Sequence, residues 1–221
     1  MSRRAFFLYG GWPGHEPYGA GEFGVELLRE LRFEVDATMD PYRLEGDLTG
    51  YDLIVLAWTQ ALTTENLTAA QEDGLLGAVE RGVGLAGWHG MTASFRSSIR
   101  YNHLIGGAFV AHPGDLIPYR VEIIDHQHEI TRGVDDFDVV SENYYMHVDP
   151  SNHVLAQSTF IGDPMPWLEG IKMPQAWTRQ WGAGRVFYSA VGHTPVELRI
   201  PSHRRMLAQG LSWAARPGDG Q

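Results

Sequence analysis

Ten histidines in a chain of 221 residues without a cysteine define the chemistry open to this protein. Imidazole is the side chain suited to moving protons near neutral pH, and it is also the commonest metal ligand. The absence of cysteine removes disulfides, thiolate metal sites and a thiol nucleophile. Several histidines stand just past an apolar run or inside a glycine turn: His15 in the loop after Tyr9, Trp88-His89-Gly90, Ala111-His112-Pro113 and Val191-Gly192-His193. Glu142 follows the apolar pair Val139-Val140, and His147 lies just beyond it. His89 has the sharpest context. The run Val83–Trp88 breaks at Gly87-Trp88-His89-Gly90, and a strand that ends in so tight a turn lifts one reactive group off the sheet edge.

Other signals are weaker. His126-Gln127-His128 would point to opposite faces of a strand unless it lies in a turn, and no His-Glu-x-x-His is present. No motif demands a cofactor; a divalent metal, if one is held, falls to His89, His112 and His193. Gly10-Gly11-Trp12-Pro13-Gly14 lacks the third glycine of a dinucleotide fingerprint, and there is no Walker lysine. Trp12, Trp58, Trp88 and Tyr101 fall at strand or loop ends, where aromatic faces beside polar groups suit a sugar-like ligand. Tyr144 and Tyr145 alternate faces, so at most one of them points into a site. Arg185 opens a strand after a glycine turn. The substrate-binding set is therefore Trp12, His15, Trp88, Tyr101, Tyr144 and Arg185.

The elements that must position these groups alternate. Ala5–Tyr9, Phe33–Ala37, Tyr51–Trp58 and Val83–Trp88 read as buried strands. Glu22–Leu31 is a helix, and a second opens on the capping box Thr68-Ala69-Ala70-Gln71 and runs through Val79. This order predicts a mostly parallel sheet with helices on both faces, joined by right-handed crossovers. After His89 the texture changes. Tyr101–Ile105 is a short helix and Phe109–Pro113 a loop. Ile117–Ile124, Asp138–Tyr145, Val154–Phe160 and Met173–Arg179 are strands, and Trp181–Gly184 turns the last of these into Arg185–Val191 as a hairpin. Ser202 caps a final helix through Ala214. One domain spans 1–215, with 216–221 a frayed polar tail.

A net charge of −10 with no basic stripe argues against nucleic acid and for a small-molecule partner. Ser2-Arg3-Arg4 has a twin-arginine look, but the apolar run stops at Tyr9, so the two arginines read as solvated residues before a buried strand. No segment has the apolar length of a membrane span, and the expected location is the cytoplasm. A homo-oligomer is open.

Five motifs in order carry a resemblance: Gly87-Trp88-His89-Gly90; Tyr101-x-x-Leu104-x-Gly106-Gly107-x-Phe109-x-x-His112-Pro113; Asp125-x-x-His128-x-Ile130-Thr131-x-Gly133; Phe137-x-Val139-x-x-Glu142-x-Tyr144; and Gly182-x-Gly184-Arg185-Val186-Phe187-Tyr188-x-x-x-Gly192-His193. Together they resemble the ThuA-like (trehalose utilisation) family. The resemblance implies a three-layer α/β, flavodoxin-like fold of the class I glutamine amidotransferase-like type, with additional antiparallel strands in the C-terminal half. It also implies a role in bacterial carbohydrate metabolism, on keto-sugars, by isomerase or lyase chemistry. Two departures stand out. There is no cysteine at the elbow, which removes glutamine hydrolysis, and Glu129 follows His128 where the family more often has proline.

Isomerisation or cleavage beside a carbonyl needs a base for an acidic C–H and a group to stabilise the enediolate. His89 and Glu142 are the expected proton-transfer pair, with His112 and His193 as oxyanion stabilisers or metal ligands. The alternatives are a non-catalytic sugar-binding or regulatory domain and a metal-dependent hydrolase.

Overall fold

The computed structural model describes residues 3–60 and 66–217. The strands are β1 (Arg3–Gly11), β2 (Phe33–Thr38), β3 (Leu53–Thr59), β4 (Gly84–Trp88), β5 (Gly107–Ala111), β6 (Leu116–Ile123), β7 (Phe137–Glu142), β8 (Tyr145–Val148), β9 (His153–Thr159), β10 (Lys172–Trp181) and β11 (Gly184–Ser189). The helices are α1 (Pro17–Glu30), α2 (Ala69–Glu80), α3 (Ile99–Ile105), α4 (Pro195–Leu198) and α5 (Pro201–Ala214). Among the described residues, nine strands form one sheet in the order β2-β1-β3-β4-β11-β10-β9-β6-β7, and β5 pairs with β8 apart from it. The first five strands of that order are parallel and the rest antiparallel. The fold is thus α/β on a mixed sheet.

Alternation along the strands puts apolar side chains on both faces. Phe7 packs with Phe23 and Leu27 of α1 and with Leu207 and Leu211 of α5. Phe6 and Leu8 face the other way, onto Leu75, Leu76 and Val79 of α2. The capping box forms as read: Thr68 Oγ1 accepts from the Gln71 amide at 3.1 Å, and Gln71 Oε1 accepts from the Thr68 amide at 2.7 Å. The hairpin also forms, with Trp181 opposite Gly184.

Four expectations change. Phe109–Ala111, expected as the start of a loop, belongs to β5, because Gly106 (φ +79°) ends α3 and turns the chain back along β8. Asp138–Tyr145 is two strands broken at Asn143, whose side-chain oxygen accepts from Ser158 and Gln175. Those bonds hold the chain off the ladder. Ser202 does not cap α5; Pro201 at its first position, with φ already fixed, starts the helix behind Ile200. Arg216 is not frayed: its amide donates to Asp52 O at 2.8 Å and its guanidinium to Gly82 O and Thr49 O. Residues 218–221 lie outside the described residues.

Trp88 belongs to this core. It is 2% exposed, with its ring 5.9 Å from Phe7 and 6.1 Å from Phe23. It offers no face to a ligand, and its placement as a substrate residue is corrected. Trp88→Ala is expected to lower unfolding free energy by about 3–5 kcal/mol, read from urea denaturation; a variant as stable as the parent would contradict the packing.

Candidate active site

The parallel strands deliver their loops to one edge. His15 follows β1, Thr59 ends β3, His89 follows β4 and His193 follows β11. In open α/β sheets the crevice outside the carboxyl ends of the strands is where ligands bind. Glu142 arrives from the other end of the sheet order, at the last residue of β7.

One carboxylate oxygen gathers three imidazoles. Glu142 Oε2 lies 3.2 Å from His89 Nε2, 3.3 Å from His193 Nδ1 and 3.8 Å from His15 Nε2. The other oxygen, Oε1, faces His112 Nε2 at 3.8 Å. One donor atom from each of His15, His89, Glu142 and His193 fits within 4.8 Å of all the others, and all four residues are buried.

Each histidine is held from behind. His89 Nδ1 donates to Ala190 O at 2.8 Å, and the Tyr144 hydroxyl lies 2.9 Å from His89 Nε2 with its ring stacked at 4.2 Å. His89 takes φ +40°, a region costly for a residue with a Cβ. The Tyr188 hydroxyl fixes that turn by donating to His89 O at 2.9 Å. Gly90 is required next to it, since a Cβ there would overlap Thr59 Oγ1. That hydroxyl in turn sits 2.8 Å from His15 Nδ1. Glu197, buried in α4, accepts the amides of Gly192 and His193 and the Ser141 hydroxyl, joining β7 to the His193 turn.

Burial sets the protonation. It pulls His89 down to about 4, against the nearby Glu142, and it pulls His15 down as well. Burial works upward on Glu142, but the surrounding His15, His193 and His89 outweigh it and hold the carboxylate well below its usual range. Burial opposes the proton on His193 too, yet Glu142 overrides it and the shift is upward. The centre at neutral pH is an ionised carboxylate against a neutral, fully enclosed His89.

His112 differs. Its side chain is 34% exposed, its ring packs on Phe109 at 5.8 Å, and Asp115 Oδ1 lies 3.2 Å from Nδ1. Trp12, half-buried, sets its edge against His15 at 4.9 Å. The structure therefore brings together His89, Glu142, His112, His193, His15, Trp12 and Tyr144. Besides Trp88, it does not bring in Tyr101, Arg185 or His147. Tyr101 is fully buried and its hydroxyl donates to Met91 O at 2.8 Å, bracing the turn after His89 from below. Arg185 starts β11 at the end opposite His193, donates to Ala215 O at 2.8 Å and lies over Trp213. His147 points to solvent on β8. His126 and His128 sit in a turn organised by the Asp125 carboxylate, which accepts the amides of Gln127 and His128. Thr59 and Glu197 had no signal beyond a strand end and a short helix.

His203 makes the support pH-sensitive. It is fully buried, with Nδ1 donating to Glu197 O and Nε2 beside Ser189 Oγ, both at 3.0 Å. Burial lowers it to about 4, against the bond to Glu197. Its ordinary value is about 6.5, so between the two values the unfolded chain binds a proton that the folded chain refuses. Stability therefore falls as pH drops from about 6.5 towards 4, by up to about 3 kcal/mol from this residue. Thermal unfolding across that range should show the fall, and His203→Asn should make it shallower, with the buried His89 keeping its own share; an unchanged slope would remove His203 as a cause.

A profile of the family described as ThuA, trehalose utilisation, matches residues 4–214. No functionally curated protein matches the chain. Among solved structures, a protein described as ThuA-like from Parabacteroides merdae ATCC 43184 is similar with a TM-score of 0.80 at 16% identity, covering 97% of this chain and 90% of that one. A second, from Bacteroides uniformis ATCC 8492, has a TM-score of 0.73 at 18% identity over 96% and 90% of the two chains. A β-galactosidase from Bacillus circulans sp. alkalophilus shares the fold over 30% of its own length, with a TM-score of 0.59 at 12% identity. Those likenesses show the fold, and the profile match over nearly the whole chain shows the family: this protein belongs to the ThuA, trehalose utilisation, family.

Proposed function

We propose that this protein is an enzyme of disaccharide utilisation that moves a proton next to the carbonyl of a keto-sugar, isomerising the sugar or eliminating from it. The convergence of His15, His89, Glu142 and His193 beneath a half-exposed His112 carries the reading. The parallel strands run in the order β2-β1-β3-β4-β11, the sequence of neighbours in flavodoxin-like sheets, and the cluster lies at their carboxyl ends. The substrate is a small carbohydrate, and the acidic chain leaves nucleic acid out. Among the described residues no helix is long and apolar enough to cross a membrane, and we place the reaction in the cytoplasm.

The chemistry divides between two depths. A base takes the C–H proton beside the carbonyl, and the electron pair moves onto the carbonyl oxygen as an enediolate. Returning the proton to the neighbouring carbon isomerises the sugar; expelling a β-oxygen instead eliminates. His112 suits the proton transfer: its side chain is 34% exposed and therefore reachable, with Asp115 Oδ1 3.2 Å from its far nitrogen. His89 and Glu142 suit it less than their sequence context implies. His89 is 1% exposed with Nδ1 committed to Ala190, and Glu142 is too weak a base among three imidazoles. Those two belong to the deeper group, where the Tyr144 hydroxyl, 2.9 Å from His89 Nε2, is the donor at hand for the developing oxyanion. Trp12 at the mouth offers an aromatic face to the sugar ring.

The test is incubation with 3-keto-disaccharides in deuterated water. Deuterium is expected at the carbon beside the carbonyl, and His112→Ala should lower kcat by about 100-fold or more, while Trp12→Ala raises KM. Tight sugar binding with no exchange would favour a non-catalytic role and sink the reading.

A further inference from the structure

We propose that His15, His89, His193 and Glu142 bind one divalent first-row transition-metal ion. The proposal rests on the reading of this cluster as the working site, and it is tested without reference to turnover.

The tautomer of His89 is the first observation. Its Nδ1 faces the Ala190 carbonyl, which can only accept, so Nδ1 carries the proton and Nε2 presents a lone pair. That lone pair confronts the Glu142 carboxylate at 3.2 Å. With the ring neutral, two acceptors at that distance repel unless a proton or a metal ion sits between them. Tyr144 can donate to the nitrogen, but it leaves the carboxylate facing the same lone pair.

The second observation is independent. His193 Nδ1 is buried, lies 3.3 Å from the same carboxylate oxygen and makes no hydrogen bond. Buried polar atoms without partners are rare, and this one is aimed into the cluster. The carboxylate can neutralise one imidazolium, not the three imidazoles around it. A metal ion satisfies all four groups together and releases any proton held among them.

The surroundings match what orients metal-bound imidazoles: a backbone carbonyl behind His89, a hydroxyl behind His15, and Glu197 fixing the turn of His193. Three nitrogens and one carboxylate select manganese, iron, cobalt, nickel or zinc over magnesium and calcium, which take oxygen ligands. Metal–nitrogen bonds of about 2.1 Å place two donors at most roughly 4.2 Å apart. The widest pair here, at up to 4.8 Å, closes by a fraction of an ångström on loading. His112 stays outside the set, on the substrate side, so the sequence expectation of His89, His112 and His193 is revised by exchanging His112 for His15. A bound ion would polarise the carbonyl whose α-proton is removed.

The experiment uses the full chain, stripped with a chelator, dialysed, and titrated with cobalt(II), zinc(II), manganese(II) and magnesium(II). One equivalent of a transition ion should bind, cobalt(II) should develop visible ligand-field absorption, and Tm should rise with transition ions but not with magnesium. Glu142→Gln and His193→Ala should each weaken binding by more than the roughly 100-fold that loss of an outer partner costs, while His112→Ala binds as the parent does. A folded, stripped protein that takes up no transition ion overturns the proposal, as does His193→Ala binding with parental affinity. A protein that loads metal but exchanges no keto-sugar proton supports the site and fails the functional reading; one that exchanges the proton and loads no ion does the reverse.

Discussion

Glu142 is a carboxylate taken almost wholly out of water, and an isolated charge in that position is strongly unfavourable. Its partners come from the ends of three strands that are not its neighbours in the sheet. β7 lies at the far edge, beyond β10, β9 and β6, yet its last residue must meet the loops after β1, β4 and β11. The antiparallel arm therefore closes back over the helical face. Phe137 stacks on His203 of α5 at 5.6 Å, Tyr119 and Val121 join the core of Leu207 and Leu211, and Ser141 donates to Glu197. That closure joins the parallel and antiparallel halves around one charged group.

The second constraint is the backbone of His89. A non-glycine residue in the left-handed region costs on the order of 1–3 kcal/mol and persists only where its surroundings insist on it. Here they do: Tyr188 and Thr92 both donate to the His89 carbonyl, and the Ala190 carbonyl holds the ring. Tyr101 supports the same turn through Met91. The residues that never touch the crevice are what give the imidazole a single direction.

The parallel half was legible in the sequence because buried strands and an amphipathic helix leave strong periodic signals, and Gly87–Gly90 announces its turn. His89, His112, Glu142 and His193 were readable for the same reason, each sitting where an apolar run stops. Trp88, Tyr101 and Arg185 misled because position at an element's end does not say which way a side chain points, nor which end of the sheet it occupies. Residue type cannot separate a ligand platform from a core aromatic. His15 was readable as a site residue, but its place directly against Glu142 was not, since that depends on Gly11 at φ +87° and on the amide of Trp12 bonding to Thr59 O at 2.9 Å. Both are settled by strands distant in sequence. The break at Asn143 hid for a like reason: its cause is a pair of side chains on β9 and β10.

The order of the four converging residues along the chain has a consequence for biosynthesis. His15 belongs to the loop after β1 and His193 to the loop after β11, with His89 and Glu142 between them in chain order. Contacts of such long range form late, because the loops they close must first lose their freedom. No fragment shorter than the span from His15 to His193 contains the centre, and a chain interrupted before β11 lacks it. Competence here is all-or-none with respect to that span: the centre comes into being only once the chain through His193 is in place.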